Sequence, residues 1–220
     1  MSCAMFPYRY SPLSQMPDSI RLLRLMPNQD DTANIQCELF EYALQESNKA
    51  SRLYEALSYV WGNFEKVQCI FIDNQYLEVT LSIHAVLLRL RDRNIPQIIW
   101  VDAVCINQDD TREKVHHIQL MAKIYGKASS VIVWLGEGAD DSDLALEAIR
   151  LRVAGQYTNT TNKEMIQQAI LRLLQRPWFR RIWVRSRRST ISAGVLKVDL
   201  GTSGSCRSST YPDHVWSHGD

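Results

Sequence analysis

Cysteines are few in this chain and lie far apart. The five thiols, at positions 3, 37, 69, 105 and 206, are separated by 30 residues or more. This spacing excludes a CxxC redox pair and the paired-cysteine pattern of a zinc site. An odd, scattered set is typical of free thiols in a reducing compartment.

An excess of charge of either sign is also missing. Lys and Arg together number 25 against 24 for Asp and Glu, so the formal net charge is +1. A balanced charge gives no bulk electrostatic attraction to nucleic acid or to an anionic membrane. We therefore do not expect nucleic acid as a partner.

Long apolar runs are absent as well. The longest, around Gln97 to Ile106, is interrupted by Asp102 and is far shorter than the roughly 20 residues that span a bilayer. The first residues, MSCAMFPYRY, lack the basic and then apolar pattern of a secretory signal. Together with the cysteines, these features predict a cytoplasmic protein without a membrane segment.

The residues that are present suit one globular domain with irregular ends. Pro7, Pro12 and Pro17 predict an irregular lead-in over residues 1–19. Strand and helix patterns follow over residues 20–184 and predict one domain. Residues 185–220 are rich in Ser, Arg and Gly and predict a low-order tail, in which only Val195 to Leu200 has the pattern of a strand.

The segment from Ile98 to Gly136 indicates the fold class. It reads as an apolar strand, a polar loop, an amphipathic helix over about Thr111 to Lys127, and a second apolar strand that ends in Gly. This order is typical of a β-α-β unit with parallel strands. We therefore predict an α/β fold in which helices flank a central, largely parallel sheet, with an N-terminal β portion.

The first motif that could carry function is YEALSYVWG, a strand that runs into a turn. Ser58 brings a hydroxyl to the end of the strand, and Gly62 allows a positive φ or a close approach of the backbone. Tyr59 and Trp61 are equally consistent with aromatic side chains of the core or its rim.

The second motif is the loop from Asp102 to Asp110. Asp102 follows an apolar strand, where open α/β sheets place their ligands, and Asn107 and Gln108 could hold a polar ligand. The alternative is a loop that these side chains lock by bonding to the backbone. Cys105 has no placed base beside it, so we expect a buried structural thiol.

Two further expectations concern the helix after this loop. Its apolar positions predict a buried stripe formed by Val115, Ile118, Met121, Ala122 and Tyr125. Glu113 and His117 share one side at a spacing of four residues, but no third metal ligand is in view. We therefore expect both to be solvated helix residues and predict no metal site.

The third motif, RPWFRRIWV, interleaves arginine with tryptophan. Arg180 and Trp183 could form a stacking or anion site. The alternative is a short helix that packs its aromatic side chains on the sheet while its arginines face water.

These three motifs, in this order, resemble the fungal heterokaryon incompatibility domain. The resemblance runs from SIRLLRLMP, near Ile20, through YEALSYVWG, IIWVDAVCINQDD and VIVWLG to Val184 at the end of RPWFRRIWV. It implies a role in fungal non-self recognition, in which growth arrest and cell death follow the fusion of incompatible individuals. It also implies self-association and partner incompatibility proteins.

The same motifs are distantly similar to Toll/interleukin-receptor-type domains. In the enzymatic members of that group a glutamate near a tryptophan supports cleavage of NAD, so the similarity implies NAD or a related nucleotide as a ligand. Incompatibility domains typically continue the last motif as Trp, two residues, Gln, Glu, which would place the glutamate at position 187. This chain has Arg187 there, and we expect little or no NAD cleavage.

The departure at Arg187 coincides with the start of the Ser/Arg/Gly-rich tail. We hypothesise that the tail is an out-of-frame or misspliced translation. The resemblance leaves two functional alternatives: a death-triggering incompatibility domain that acts through self-association or nucleotide handling, and a non-catalytic interaction module. The tail adds a third alternative, a non-functional fragment of a longer incompatibility protein.

Overall fold

A computed structural model describes residues 6–14, 18–44, 53–62, 67–156, 162–180, 195–201 and 209–211. Its strands are β1 (Ser19–Leu25), β2 (Gln36–Ala43), β3 (Glu55–Ser58), β4 (Val67–Ile72), β5 (Gln75–Thr80), β6 (Gln97–Trp100), β7 (Ser130–Glu137), β8 (Val195–Gly201) and β9 (Ser209–Tyr211). Its helices are α1 (Leu81–Leu90), α2 (Asp102–Cys105), α3 (Thr111–Lys127), α4 (Ser142–Val153) and α5 (Lys163–Leu174), followed by a 3₁₀ turn over Pro177–Arg180.

All these strands belong to one mixed sheet with the order β5-β4-β2-β1-β6-β3-β7-β8-β9. In its centre β3 pairs in parallel with both β6 and β7, and β7 pairs in parallel with β8. The N-terminal part is mainly antiparallel, since β1 pairs with β2 and β6 and β4 pairs with β5 in that sense. The predicted α/β class, with a parallel centre and an N-terminal β portion, is confirmed.

The predicted β-α-β unit is present, but its two strands are not neighbours in the sheet. Strands β6 and β7 run parallel, but β3 lies between them. The helix begins where Asp110 accepts hydrogen bonds from the backbone N–H groups of Arg112 and Glu113 at 2.8 and 3.1 Å. This N-cap satisfies donors that have no partner within the helix.

The hairpin between β4 and β5 turns at Asp73 and Asn74. Both have positive φ angles, of 49° and 65°. A two-residue turn with this geometry matches the twist of the paired strands, and Asp and Asn tolerate it better than most residues.

The predicted buried stripe of α3 is wrong at Val115 and Ile118, although Met121 and Tyr125 do pack against the core. Val115 and Ile118 are 52% and 59% exposed, whereas His117 and Ile124 are fully buried. The expectation that Glu113 and His117 are solvated is wrong too, because the Glu113 side chain is only 10% exposed. The helix turns this polar side inward because Glu113 meets a buried arginine on β1, described below.

The tail contributes to the sheet as well. Val195–Gly201, the segment with a strand pattern, pairs with β7, and Ser209–Tyr211 pairs with β8. The rest of residues 185–220 lies outside the described residues, so the proposed change of frame stays a hypothesis. None of the helices in the described segments is long and apolar enough to cross a membrane.

Candidate functional site

The first and second motifs meet where parallel strands end. The carboxyl ends of β3, β6 and β7 lie at one border of the sheet, which we call the carboxyl edge. There the indole Nε1 of Trp61 donates a hydrogen bond to Asp102 Oδ2 at 3.2 Å. The rings of Tyr59 and Trp61 lie nearly parallel, with 10° between their planes and 6.5 Å between centroids. Trp61 and Asp102 are both half-buried, so this pair borders on solvent.

The loop that follows Asp102 is held by its own side chains. Gln108 donates from Nε2 to the backbone carbonyl of Asp102 at 2.9 Å. Asn107 accepts from the backbone N–H of Asp109 at 3.1 Å, and the second carboxylate oxygen of Asp102 accepts from the N–H of Ala103 at 2.8 Å. These contacts are the side-chain to backbone bonds of the locked-loop alternative.

Cys105 is a structural thiol, as expected. It is fully buried, and its Sγ lies 3.4 Å from the backbone N of Val101 and 3.9 Å from the carbonyl oxygen of Ile99. Burial raises the pKa of the Cys105 thiol to about 12, because the thiolate would lose its hydration. A group with that pKa is a poor nucleophile near neutral pH.

The loop is fastened to the sheet by an ion pair that the sequence reasoning missed. Arg21, on β1, donates to both carboxylate oxygens of Glu113, from Nη1 at 2.5 Å and from Nη2 at 3.2 Å. The two side chains are 7% and 10% exposed. The same carboxylate accepts from the backbone N–H of Asn107 at 2.8 Å, and Arg21 also reaches the Cys105 carbonyl at 3.3 Å. The sequence signal was a pair of arginines, Arg21 and Arg24, within the otherwise apolar strand SIRLLRL, and only Arg21 is buried.

The lead-in packs against the same pair. The hydroxyl of Tyr10 donates to the carbonyl of Val104 at 2.9 Å, and the Arg21 guanidinium lies 5.1 Å from the centre of the Tyr10 ring. Arg21 also donates to the carbonyl of Ser11 at 2.7 Å. Residues 6–14 of the lead-in form no helix and only an isolated bridge between Pro7 and Tyr76, and they are docked onto the loop that carries Asp102.

Ser58 does not present its hydroxyl to solvent. It is 2% exposed and accepts a hydrogen bond at 2.9 Å from Nε1 of Trp178 in the third motif. Trp178 is buried, in agreement with the packing alternative for RPWFRRIWV. The first and third motifs are therefore joined inside the protein by a direct side-chain contact.

Arg176, at the start of the third motif, bonds to the backbone that follows β7. Its Nη1 donates to the carbonyls of Leu135 and Glu137 at 3.0 and 3.1 Å, and its Nη2 donates to that of Ala139 at 3.0 Å. The guanidinium therefore holds the chain that leaves β7, rather than facing water as the packing alternative expects. This role is a second one that the sequence reasoning missed.

The remaining candidate residues are placed as follows. Gly62 has a φ of +74°, which side-chain-bearing residues rarely adopt, and it lies beside Ser82 at the start of α1. Arg180 is exposed at the end of the 3₁₀ turn. Trp183 and Arg187 lie outside the described residues, so their predicted roles stay predictions.

Glu113 and His117 do not form a pair of metal ligands. The carboxylate of Glu113 is bound to Arg21, and Nδ1 of His117 lies 2.9 Å from the Glu113 backbone carbonyl. Within the described segments no group of three or more His, Cys, Asp and Glu could hold a metal ion.

Comparison with known proteins agrees with the three motifs. A family model described as "Heterokaryon incompatibility protein (HET)" matches residues 54–185, which include all three motifs. The chain is also 29% identical, over 227 residues, to heterokaryon incompatibility protein 6, OR allele, of Neurospora crassa. That alignment covers 81% of this chain and 33% of the relative, so the chain spans about a third of the relative's length.

No solved structure matches the chain. The family match covers more than half of the residues and contains both contacts between motifs, Trp61 with Asp102 and Ser58 with Trp178. We conclude that the chain belongs to the heterokaryon incompatibility protein family.

Proposed function

We propose that this chain acts in fungal non-self recognition, as a domain that triggers growth arrest or cell death when incompatible cells fuse. The observation that carries the proposal is the family match over residues 54–185. The relative from Neurospora crassa, which is named as a heterokaryon incompatibility protein, supports it.

We further propose that the domain works as an interaction module that self-associates and contacts partner incompatibility proteins. The hydroxyl of Ser58 and the thiol of Cys105, in the first two motifs, are buried and bonded within the protein. Asn107 and Gln108 are engaged with the backbone. This arrangement favours a firmly held recognition surface over an acyl-transfer or thiol-dependent site.

Nucleotide handling is the second candidate, and one observation favours it. Trp61 and Asp102 are half-buried at the carboxyl edge, where α/β sheets bind ligands. A carboxylate beside an aromatic face could hold the ribose and base of NAD or a related nucleotide. The similarity to Toll/interleukin-receptor-type domains supports the same class of ligand.

Inducible expression in a fungal host tests the main proposal. We expect the chain to arrest growth, and Asp102→Ala and Trp61→Phe to weaken the arrest at equal protein level, because each removes one side of the bond between the first two motifs. Arg93→Ala is the matched control, since Arg93 and Asp31 form an ion pair with side chains 67% and 74% exposed. Normal growth with the unaltered chain would contradict the proposal.

Incubation of the purified protein with NAD separates the two modes of action. Growth arrest without nicotinamide release supports the interaction module. Nicotinamide release that Asp102→Ala abolishes supports nucleotide handling and overturns the non-catalytic version.

A further inference from the structure

The lead-in is attached to the sheet at two separate places. We call residues 6–14 the strap. At its first anchor, on β5, the backbone N–H of Tyr8 donates to the carbonyl of Tyr76 at 2.7 Å. At its second anchor, on β2, the backbone N–H of Ser14 donates to Oε1 of Glu41 at 3.0 Å. The part of the strap between these anchors is free to serve a different element of the fold.

That element is α2, the helical turn that begins at Asp102. The hydroxyl of Tyr10 donates to the carbonyl of the buried Val104 at 2.9 Å. Burial raises the pKa of Tyr10, so this hydroxyl stays protonated and remains a donor. The helix is a single turn, closed by the backbone N–H of Ile106, which donates to the Asp102 carbonyl at 3.2 Å. Because one turn has no further turns to support it, a shift of the Val104 carbonyl also moves Asp102.

Arg21 connects the strap to the other end of the same loop. Its guanidinium donates to the carbonyl of Ser11 at 2.7 Å and to the carbonyl of Cys105 at 3.3 Å. It also binds Glu113, whose carboxylate accepts from the backbone N–H of Asn107 at 2.8 Å. The strap and the loop therefore share one buried cation.

The strap is held more loosely than the strand that carries this cation. None of residues 6–14 is fully buried, and Phe6 is 71% exposed, whereas all residues of β1 except Arg24 are buried. Segments with few buried apolar contacts open at a lower free energy than the core. The strap can therefore leave its place while the sheet stays folded.

We propose that the strap sets the position of Asp102 and that Tyr10 is its positioning residue. With the strap docked, Asp102 is held where Trp61 donates to it, and release of the strap loosens this contact. Tyr10 and Arg21 both precede residue 54, at which the family match begins, so the functional unit extends beyond the matched region. The inference rests on the proposed function for the part that this contact plays in growth arrest.

The indole N–H resonance of Trp61 in an isotope-labelled chain tests the positioning, and its loss in Trp61→Phe identifies it. Tyr10→Phe should shift this resonance and speed its exchange with water about two- to tenfold, because the hold on α2 loses one hydrogen bond. Tyr8→Phe is the matched control and should leave the resonance in place, since the bond of Tyr8 to β5 is made by the backbone.

A change at the distant anchor tests whether the strap acts as a unit. Glu41→Ala removes the acceptor on β2 and should move the indole resonance in the same direction as Tyr10→Phe. Glu38→Ala is the control, because Glu38 lies on the same strand and pairs with Arg24 instead. Urea unfolding separates a merely structural effect, which lowers the free energy of unfolding and leaves the indole resonance unmoved.

Growth arrest in the fungal host supplies the functional readout. We expect Tyr10→Phe to weaken the arrest at equal protein level and Glu38→Ala to leave it unchanged. An indole resonance that Tyr10→Phe or Glu41→Ala leaves in place, or that Tyr8→Phe moves equally, would overturn the strap, and so would full arrest by Tyr10→Phe. If the unaltered chain does not arrest growth, the proposed function fails, and the resonance still decides whether the strap positions Asp102.

Discussion

Replacement of Arg21 by methionine should be among the most damaging single changes in this domain. The change removes the guanidinium from the carboxylate of Glu113, whose side chain is 10% exposed. Loss of one partner of a buried ion pair leaves an uncompensated charge and costs about 3–5 kcal/mol of the free energy of unfolding. That is a large part of the roughly 5–15 kcal/mol that stabilise an ordinary domain.

The reason for the damage can be tested with a double-mutant cycle. Arg21→Met/Glu113→Met removes both charges. Like Arg21→Met alone, it leaves the carbonyls of Ser11 and Cys105 without their donor. The loss that it adds is the acceptor of the Asn107 backbone N–H, which donates to Glu113 at 2.8 Å. A buried donor without a partner costs about 1–3 kcal/mol. The double variant should therefore be more stable than Arg21→Met alone, although it carries one more substitution.

Urea unfolding with linear extrapolation measures these free energies. Arg93→Met is the control, because its ion pair with Asp31 is exposed and should be worth less than about 1 kcal/mol. A cost below about 1 kcal/mol for Arg21→Met, or a double variant whose cost equals the sum of the single costs, would refute the reasoning.

Three other outcomes follow from groups described above. Burial lowers the pKa of His117 below 6.5, so the unfolded state takes up a proton before the folded state does. The free energy of unfolding should therefore fall as the pH drops below about 6.5. In His117→Leu this fall should be smaller, and the lowered pKa of His84 accounts for part of what remains. Ser58→Ala leaves the buried N–H of Trp178 without its acceptor and should cost about 1–3 kcal/mol in urea unfolding, whereas a cost near zero would contradict the bond. Gly62→Ala should cost about 1 kcal/mol because of the φ of +74°, and an unchanged thermal midpoint would argue against that backbone conformation.

Elements with strong local signals could be predicted from the sequence alone. The start of α3 follows from the N-cap residue Asp110, and its length follows from the stretch over which apolar residues recur at helical spacing. The hairpin between β4 and β5 follows from its turn residues, Asp73 and Asn74. The α/β class follows from the alternation of strand and helix patterns.

The rotation of α3 could not be predicted in the same way. Hydrophobic periodicity favoured Val115 and Ile118 as the buried side, but the pairing of Glu113 with Arg21, which lies 92 residues earlier in the chain, turns the opposite side inward. The insertion of β3 between β6 and β7 is likewise a long-range event, and so is the contact of Ser58 with Trp178. In each case the deciding partner is distant in sequence and leaves no local pattern.

The bond between Ser58 and Trp178 also bears on the order in which the domain folds. Its two side chains are 120 residues apart in the chain. At a synthesis rate of about 5–20 residues per second, Trp178 is synthesised roughly 6–24 s after Ser58. Contacts of such high sequence separation slow folding, because the loop between them must close before they form. The carboxyl edge, where the first and second motifs meet, can therefore gain its contact with the third motif only after most of the domain has been synthesised.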